Sequence, residues 1–260
     1  MRFWNKSLAV AVVAVLSTAA SGGLISSQTD ATFGTSTFAD DGIITAGEYS
    51  TSYTGGGSGF GGTLGAGILY VDSDATNLYL GFQPGGSLND NVVIHLDTKL
   101  GGFTDAQMND TSDPGRNLLT NLTRDVDDSF PVLPDYGIVI GSFGTVSFEL
   151  TSGTLNFMNF QGDQTSNSST LAREFAIPLS SIGNPKTVNF FLSYGSDTNY
   201  MSNESLPSEA FNSGPNLGFD NNGSFQTVAH SNYNQFVVPE PASLGLLGLA
   251  SVAGIRRRRR

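Results

Sequence analysis

Cysteine is absent, histidine occurs twice and tryptophan once in 260 residues, and each scarcity closes a chemical route. Without cysteine there is no disulfide, no thiolate metal site and no cysteine nucleophile, so a chain of this composition holds together by packing. The two histidines, His95 and His230, are too far apart for a His-Glu-x-x-His zinc signature, and no Gly-x-Ser-x-Gly window marks a nucleophile elbow. Positive charge is scarce as well. All 23 carboxylates lie between Asp30 and Glu240, where only Lys99, Arg116, Arg124, Arg173 and Lys186 oppose them, which leaves that stretch at −18. The whole-chain charge of −11 conceals this, because the other seven cations sit at the two ends. So acidic a surface repels phosphate backbones and excludes nucleic acid as a partner.

The ends carry what the middle lacks. Arg2 and Lys6 precede an apolar run from Leu8 to Leu16 and the small residues Ser17 to Ser21, the three regions of a secretory signal helix, with a cut expected between Ala19 and Ser27. At the other end Pro239-Glu240-Pro241 leads into an uncharged apolar run from Ala242 to Ile255 and then Arg256, Arg257, Arg258, Arg259 and Arg260. As a helix that run reaches roughly 21 Å, short of the ~30 Å hydrocarbon core, so it reads as a temporary transmembrane anchor. The arginines stay on the cytoplasmic side, each costing ~2.5–3.5 kcal/mol at the bilayer centre. The expected organisation is residues 1–27 as signal peptide, 28–237 as one exported domain and 238–260 as a sorting signal.

Between the ends no long helical period appears. Short apolar runs separated by Gly, Ser, Thr, Asn and Asp mark strands and turns. Leu78, Leu80 and Phe82 alternate with Tyr79 and Gly81, and Val92, Ile94 and Leu96 alternate with Val93, His95 and Asp97. Further strands are expected at 136–140, 145–150, 154–160, 171–177, 187–194, 224–230 and 233–237. Helical turns are expected near 105–109 and 117–123, with one at Pro178 to Ile182 closed by Gly183. The stretches 21–38 and 196–222 read as a polar leader and a loop. Thr54 to Gly67, with eight glycines, lacks the Gly-Lys-Ser/Thr ending of a phosphate loop and reads as a flexible loop or an irregular edge. The fold class is therefore all-β, an antiparallel two-sheet sandwich, jelly-roll-like, with short helical inserts.

The tail resembles the PEP-CTERM sorting signal, in which a Pro-Glu-Pro triplet, a short hydrophobic helix and an arginine-rich end are read by an exosortase. That resemblance implies Pro239, Glu240 and Pro241 as the recognition triplet, Arg256 to Arg260 as the membrane stop, and cleavage near the triplet. It also implies an envelope with an inner membrane, and exopolysaccharide production alongside. A second resemblance runs through Asp41-Gly42, Gly47-Glu48-Tyr49, Leu69-Tyr70-Val71-Asp72, Asn77-Leu78-Tyr79-Leu80, Val92 to Thr98 and Phe175 to Leu179. This succession is similar to the sandwich shared by the ninth family of carbohydrate-binding modules and the DOMON-like domains. It implies sugar held on aromatic faces, a role left to tyrosine because the only tryptophan, Trp4, lies in the leader. In some DOMON relatives it implies haem, for which Met158 with His95 or His230 is the conceivable axial pair.

No cofactor is expected beyond calcium, and the oxygen ligands a hard cation requires occur on polar loops: Asp72 and Asp74, Asp105 with Asp110 and Asp113, and Asp125 with Asp127 and Asp128. The competing reading makes these solvated turn residues, Asp72 and Asp74 bonding the backbone of their own hairpin. The expected function is a non-enzymatic, exosortase-sorted protein, anchored transiently in the inner membrane and then placed at the cell surface or in the matrix in a structural or adhesive role. The alternative is a carbohydrate-binding module for exopolysaccharide, and an envelope hydrolase stands third. Its partners are the secretion machinery and the exosortase.

Overall fold

The computed structural model describes residues 23–34, 36–104, 107–122, 132–142, 144–158, 172–196, 200–209, 216–218 and 230–239. One sheet holds β2 (Thr51–Thr54), β3 (Ile68–Ser73), β4 (Asn77–Gln83) and β9 (Arg173–Pro178) in the order β2-β3-β4-β9, all antiparallel. The other sheet runs β1 (Gly23–Thr29), β13 (Asn232–Val237), β10 (Thr187–Gly195), β5 (Asn91–Asp97), β6 (Tyr136–Gly141), β7 (Gly144–Glu149) and β8 (Asn156–Met158). Along one edge of β10, β13 pairs with residues 187–190, and β11 (Met201–Leu206) pairs with 192–195, carrying β12 (Asn216–Gly218) outside it.

Alternation decides which side chains meet. Leu69, Val71, Leu78, Leu80, Phe82, Phe175 and Ile177 face Val92, Ile94, Leu96, Ile138, Ile140, Phe190 and Leu192 across one apolar core. Tyr53 meets Phe190 edge to face at 4.8 Å across the gap. The odd residues of β5 are buried too, because a third layer covers the outer face: α1 (Pro114–Leu122) brings Leu118 and Leu119 against Val93, Val139 and Phe148. Gly137 allows that approach, since a Cβ there would lie 2.1 Å from a Leu119 methyl.

The chain is mostly β in two sheets, as its pattern predicts, and the turn at Leu179–Ile182 is a 3-10 turn closed by Gly183 at φ 87°. Three expectations are corrected. Residues 23–29, read as polar leader, form β1, and β1 pairs with β13 in parallel, so the sheet is mixed. The weak alternation of an exposed edge strand hid it. Residues 201–206 and 216–218, read as loop, are β11 and β12. The helix near 117–123 begins earlier, at Pro114. Of the two readings of the glycine stretch the irregular edge is the one found, fixed along β11 as described below. The expected leader up to residue 22, Asp105, residues 224–229 of the expected strand at 224–230, the far end of 154–160, Asp125, Asp127, Asp128 and the tail from Glu240 onward lie outside the described residues.

Candidate functional site

The sorting end is continuous with the sheet. β13 lies between β1 and β10, Val238 is buried, and its amide donates to the Lys186 carbonyl at 2.9 Å. Pro239 therefore follows a fixed residue, with no linker between sandwich and triplet. Because β1 and β13 run parallel, Gly23 sits beside Asn232 while Thr29 sits beside Val237. The chain enters the sheet at one end and leaves at the other, roughly 20 Å away at strand rise. Gly23 is itself held by a 2.7 Å bond to the Ser231 carbonyl, so a leader cut near Ala19 to Ser21 leaves β1 whole.

Several acidic residues among those described hold loops rather than face solvent. Glu204, buried in β11, accepts the amides of Phe60 and Gly62 on one oxygen (2.7 and 3.0 Å) and of Leu64 and Gly65 on the other (2.8 and 2.9 Å). Asn203 adds the amides of Ser58 and Gly59, and Gly56 exchanges two backbone bonds with Ser205. The glycines permit this closeness, since a Cβ on Gly65 would lie 1.9 Å from the Gly57 carbonyl oxygen. Glu174 likewise takes the Gly42 amide at 2.7 Å and the Tyr49 hydroxyl at 2.9 Å, and Asp135 the amides of Thr98 and Lys99. Burial, and then the neighbouring Glu174, push Tyr49 well above the usual phenol range.

The calcium candidates separate under this geometry. Asp74 takes the amides of Thr76 and Asn77 on Oδ1 and the Tyr79 hydroxyl on Oδ2 at 2.7 Å. Burial raises its pKa, but these bonds outweigh burial and leave it lowered. Asp72 does not cap the hairpin: it is buried in β3 beside Asp30 and takes the Thr32 hydroxyl at 3.4 Å. Burial first, and Asp30 after it, hold its carboxyl above the ordinary value. Asp110 accepts the amides of Ser112 and Leu155 and lies 3.3 Å from Arg116, while Asp113 caps α1 through the Arg116 amide and pairs with its guanidinium. Among the described residues no three His, Asp or Glu side chains are grouped to hold a metal ion.

Both histidines pack on one ring: His95 stacks on Phe191 at 4.8 Å and His230 tilts against it at 4.7 Å. Met158 packs into the core between the sheets, on the other side from His95, so the conceivable haem pair is not assembled. His230 also completes a relay that its sequence neighbours do not announce. Its Nε2 is 2.7 Å from Ser193 Oγ and its Nδ1 is 3.2 Å from Glu209 Oε1. A carboxylate only accepts, so Nδ1 carries a proton, and a neutral ring then accepts from Ser193. The order resembles a nucleophile, base and orienter, but Ser193 is 2% exposed in the middle of β10, between Val93 of β5 and Ser205 of β11. Glu209 also holds the amides of Ser231 and Asn232, which makes the relay a clasp on the entry to β13.

A cleft of about 550 Å³ opens at the end of the sandwich opposite the sorting end, between the start of β5, the β6–β7 turn and the first turn of α1. Its lining is Leu118, Val146, Pro114 and Gly115 together with Asn89, Asp90, Asn91, Asp113 and Ser142. A shallower groove at Thr111, Ser112 and Asn117 adjoins it through Asp113 and Pro114. Nothing in the linear sequence brings these three segments together.

Compared with known families, the PEP-CTERM protein-sorting motif matches residues 237–260. The chain carries a PEP-CTERM sorting motif. No curated protein and no solved structure matches it. The motif begins at Val237, the last residue of β13, and it implies an exosortase-sorted surface protein that is exported and transiently anchored before release. No helix among the described residues is long and apolar enough to cross a membrane, and the 242–255 run lies outside them.

Proposed function

We propose that the folded part is a non-enzymatic structural or adhesive component, delivered through the secretion machinery and an exosortase to the cell surface or extracellular matrix. The observation that carries this reading is the PEP-CTERM motif at 237–260, joined without a linker to β13. In the same reading the N-terminal segment is a removable signal peptide, and the 242–255 run is a short transmembrane helix stopped by Arg256 to Arg260. What supports the non-enzymatic part is the use of the buried acids. Glu48, Glu174, Glu204 and Asp135 hold backbone amides, and the Ser193 relay is sealed within the sheet. Glycosidases need two carboxylates facing one substrate across a cleft. Asp113 at the cleft is already paired with Arg116.

The test replaces Pro239, Glu240 and Pro241 together by alanine in the native host, followed by fractionation and mass spectrometry of both termini. The parent is expected at the surface with both ends cut, and the variant in the membrane fraction with its tail intact. Recovery of the parent from the cytosol with uncut ends, or identical processing of the variant, overturns the reading.

A further inference from the structure

We infer that β1 is a self-association edge, where a second copy of this chain adds its own β1 antiparallel across a two-fold axis and joins the two large sheets into one. The inference rests on the structural role proposed above and gives it a partner. Three observations lead there. First, β1 is an edge strand without a guard. It pairs with β13 on one side only, and among the described residues its backbone bonds to nothing else but Ser231. An open edge presents a row of unpaired N–H and C=O groups, and natural edges are protected by shortness, charge or proline. The other edge strands carry such protection: β8 and β12 have three residues each, β2 has four with its Ser52 carbonyl taken by Gln28, and β9 carries Arg173, Glu174 and Pro178. β1 has seven residues, none of them charged and none proline.

Second, β1 is where a copy of the same charge can approach. β1, β13 and β10 are neighbours and contain no charged residue, although the domain as a whole is strongly negative. Two such domains repel, and the repulsion is least where the uncharged strands of one face those of the other. A basic partner would be held by carboxylates, and β1 has none. The register with β13 skips Ile25, and that side chain is 57% exposed beside Leu24 at 45%, which supplies apolar surface for the joint.

Third, a row of hydrogen bonds crosses the sheet and stops open at this edge. Asn189 of β10 donates to Asp97 at 3.0 Å, Gln235 of β13 to Asn189 at 2.9 Å, and Ser27 of β1 to Gln235 at 2.9 Å. The Ser27 hydroxyl uses its single proton on Gln235 and keeps room to accept, so an amide or hydroxyl of the next strand continues the row. A two-fold joint also closes on itself, because each copy offers the same strand once, and the product is a dimer rather than a fibre. With the strands fully overlapped, Ser26 lies opposite Ser26 and Leu24 opposite Gln28.

A seven-residue joint lies at the small end of specific interfaces, so the experiment traps it covalently. The chain has no cysteine, and the full chain in its native host receives one at a time: Ser26→Cys, Ser27→Cys, or Leu100→Cys, whose fully exposed position measures chance collision. Opposed residues of antiparallel strands lie about 4.5–5.5 Å apart at Cα, within the span of a disulfide. Cells are fractionated, and the fraction holding the protein is treated with a mild oxidant. The linked dimer is read on a non-reducing gel, with mass spectrometry of the linked peptide. At least one β1 position is expected to give dimer at least tenfold above Leu100→Cys. Ile25→Glu in the same chain brings like charges to the joint and is expected to lower that yield at least fivefold. Should Ile25→Glu fail to fold, Thr29→Glu at the exposed far end of the strand repeats the perturbation. Raising salt from about 0.05 to about 0.5 M shortens the screening length and is expected to raise the yield. Both β1 positions at the level of Leu100→Cys, a product joined to a different protein, a yield indifferent to both glutamates, or a yield that falls with salt overturns the assignment. Those outcomes leave the surface placement standing, because it is read from termini and fractions; a linked dimer found in the cytosol with uncut ends would do the reverse.

Discussion

Removing the Glu204 carboxylate tests whether a buried acid, rather than apolar packing, fixes the glycine stretch. Glu204 is 1% exposed and accepts four backbone amides between Phe60 and Gly65 at 2.7 to 3.0 Å. Each hydrogen bond to a charged group contributes about 1.5–3 kcal/mol, but four on one side chain do not add, because a released loop recovers part of the loss by bonding water. The nearest comparison is the loss of one partner from a buried charged pair, about 3–5 kcal/mol. Glu204→Ala is expected to fall in that range, which lowers the melting temperature of a domain this size by roughly 6–20 °C. Glu204→Gln keeps the shape and one acceptor but turns an amino group toward two N–H donors, so its loss lies between parent and alanine. Thermal melts measure the total, and hydrogen exchange locates it: amides 60, 62, 64 and 65 lose protection before the β5–β10 ladder does. A Glu204→Ala protein that melts within about 0.5 kcal/mol of the parent, with those amides still protected, refutes the reasoning.

The glycine stretch makes a second prediction by contrast. Gly65→Ala places a Cβ 1.9 Å from the Gly57 carbonyl and is expected to cost about 3 kcal/mol, while Gly47→Ala meets no atom within 4 Å and bears only the left-handed backbone penalty of about 1–2 kcal/mol. Paired denaturant titrations check the difference, and equal losses would count against it. A third concerns pH. Burial first, and then Asp135, push the Asp97 carboxyl up to about 6, so ionising it opposes the fold above that pH and the opposition fades as pH falls toward the ordinary carboxylate value. Asp97→Asn is therefore expected to melt above the parent at neutral pH and level with it at a pH of about 4. His95 acts in the other direction. Burial, and then His230, hold it well below the usual imidazole value, so its contribution is complete above a pH of about 6.5 and stability is lost as pH falls through and below it. His95→Gln is expected to flatten that part of the acid limb, and an unchanged limb would show that other groups set it.

Much of the fold was legible because strand alternation is a local signal. Leu78, Leu80 and Phe82, like Val92, Ile94 and Leu96, point one way by period two wherever their sheet lies, and all are buried. The edges were harder. β1 has no buried position and no clean alternation, and its partner is β13, more than 200 residues away. β11 reads as polar because Ser202, Glu204 and Ser205 are buried by hydrogen bonds rather than by apolar contact. A carboxylate that closes a loop some 140 residues distant leaves no mark in its own neighbourhood.

The sequence by itself determined the sorting end and the overall β character, since triplet, apolar run and arginines act in linear order and alternation needs no partner to be read. Tertiary structure alone decided which acids hold amides, that Ser193, His230 and Glu209 meet, and that Asn91 is buried on a cleft shared with α1. The reason is range: those contacts join segments whose separation along the chain carries no period and whose meeting depends on how two sheets and one helix stack.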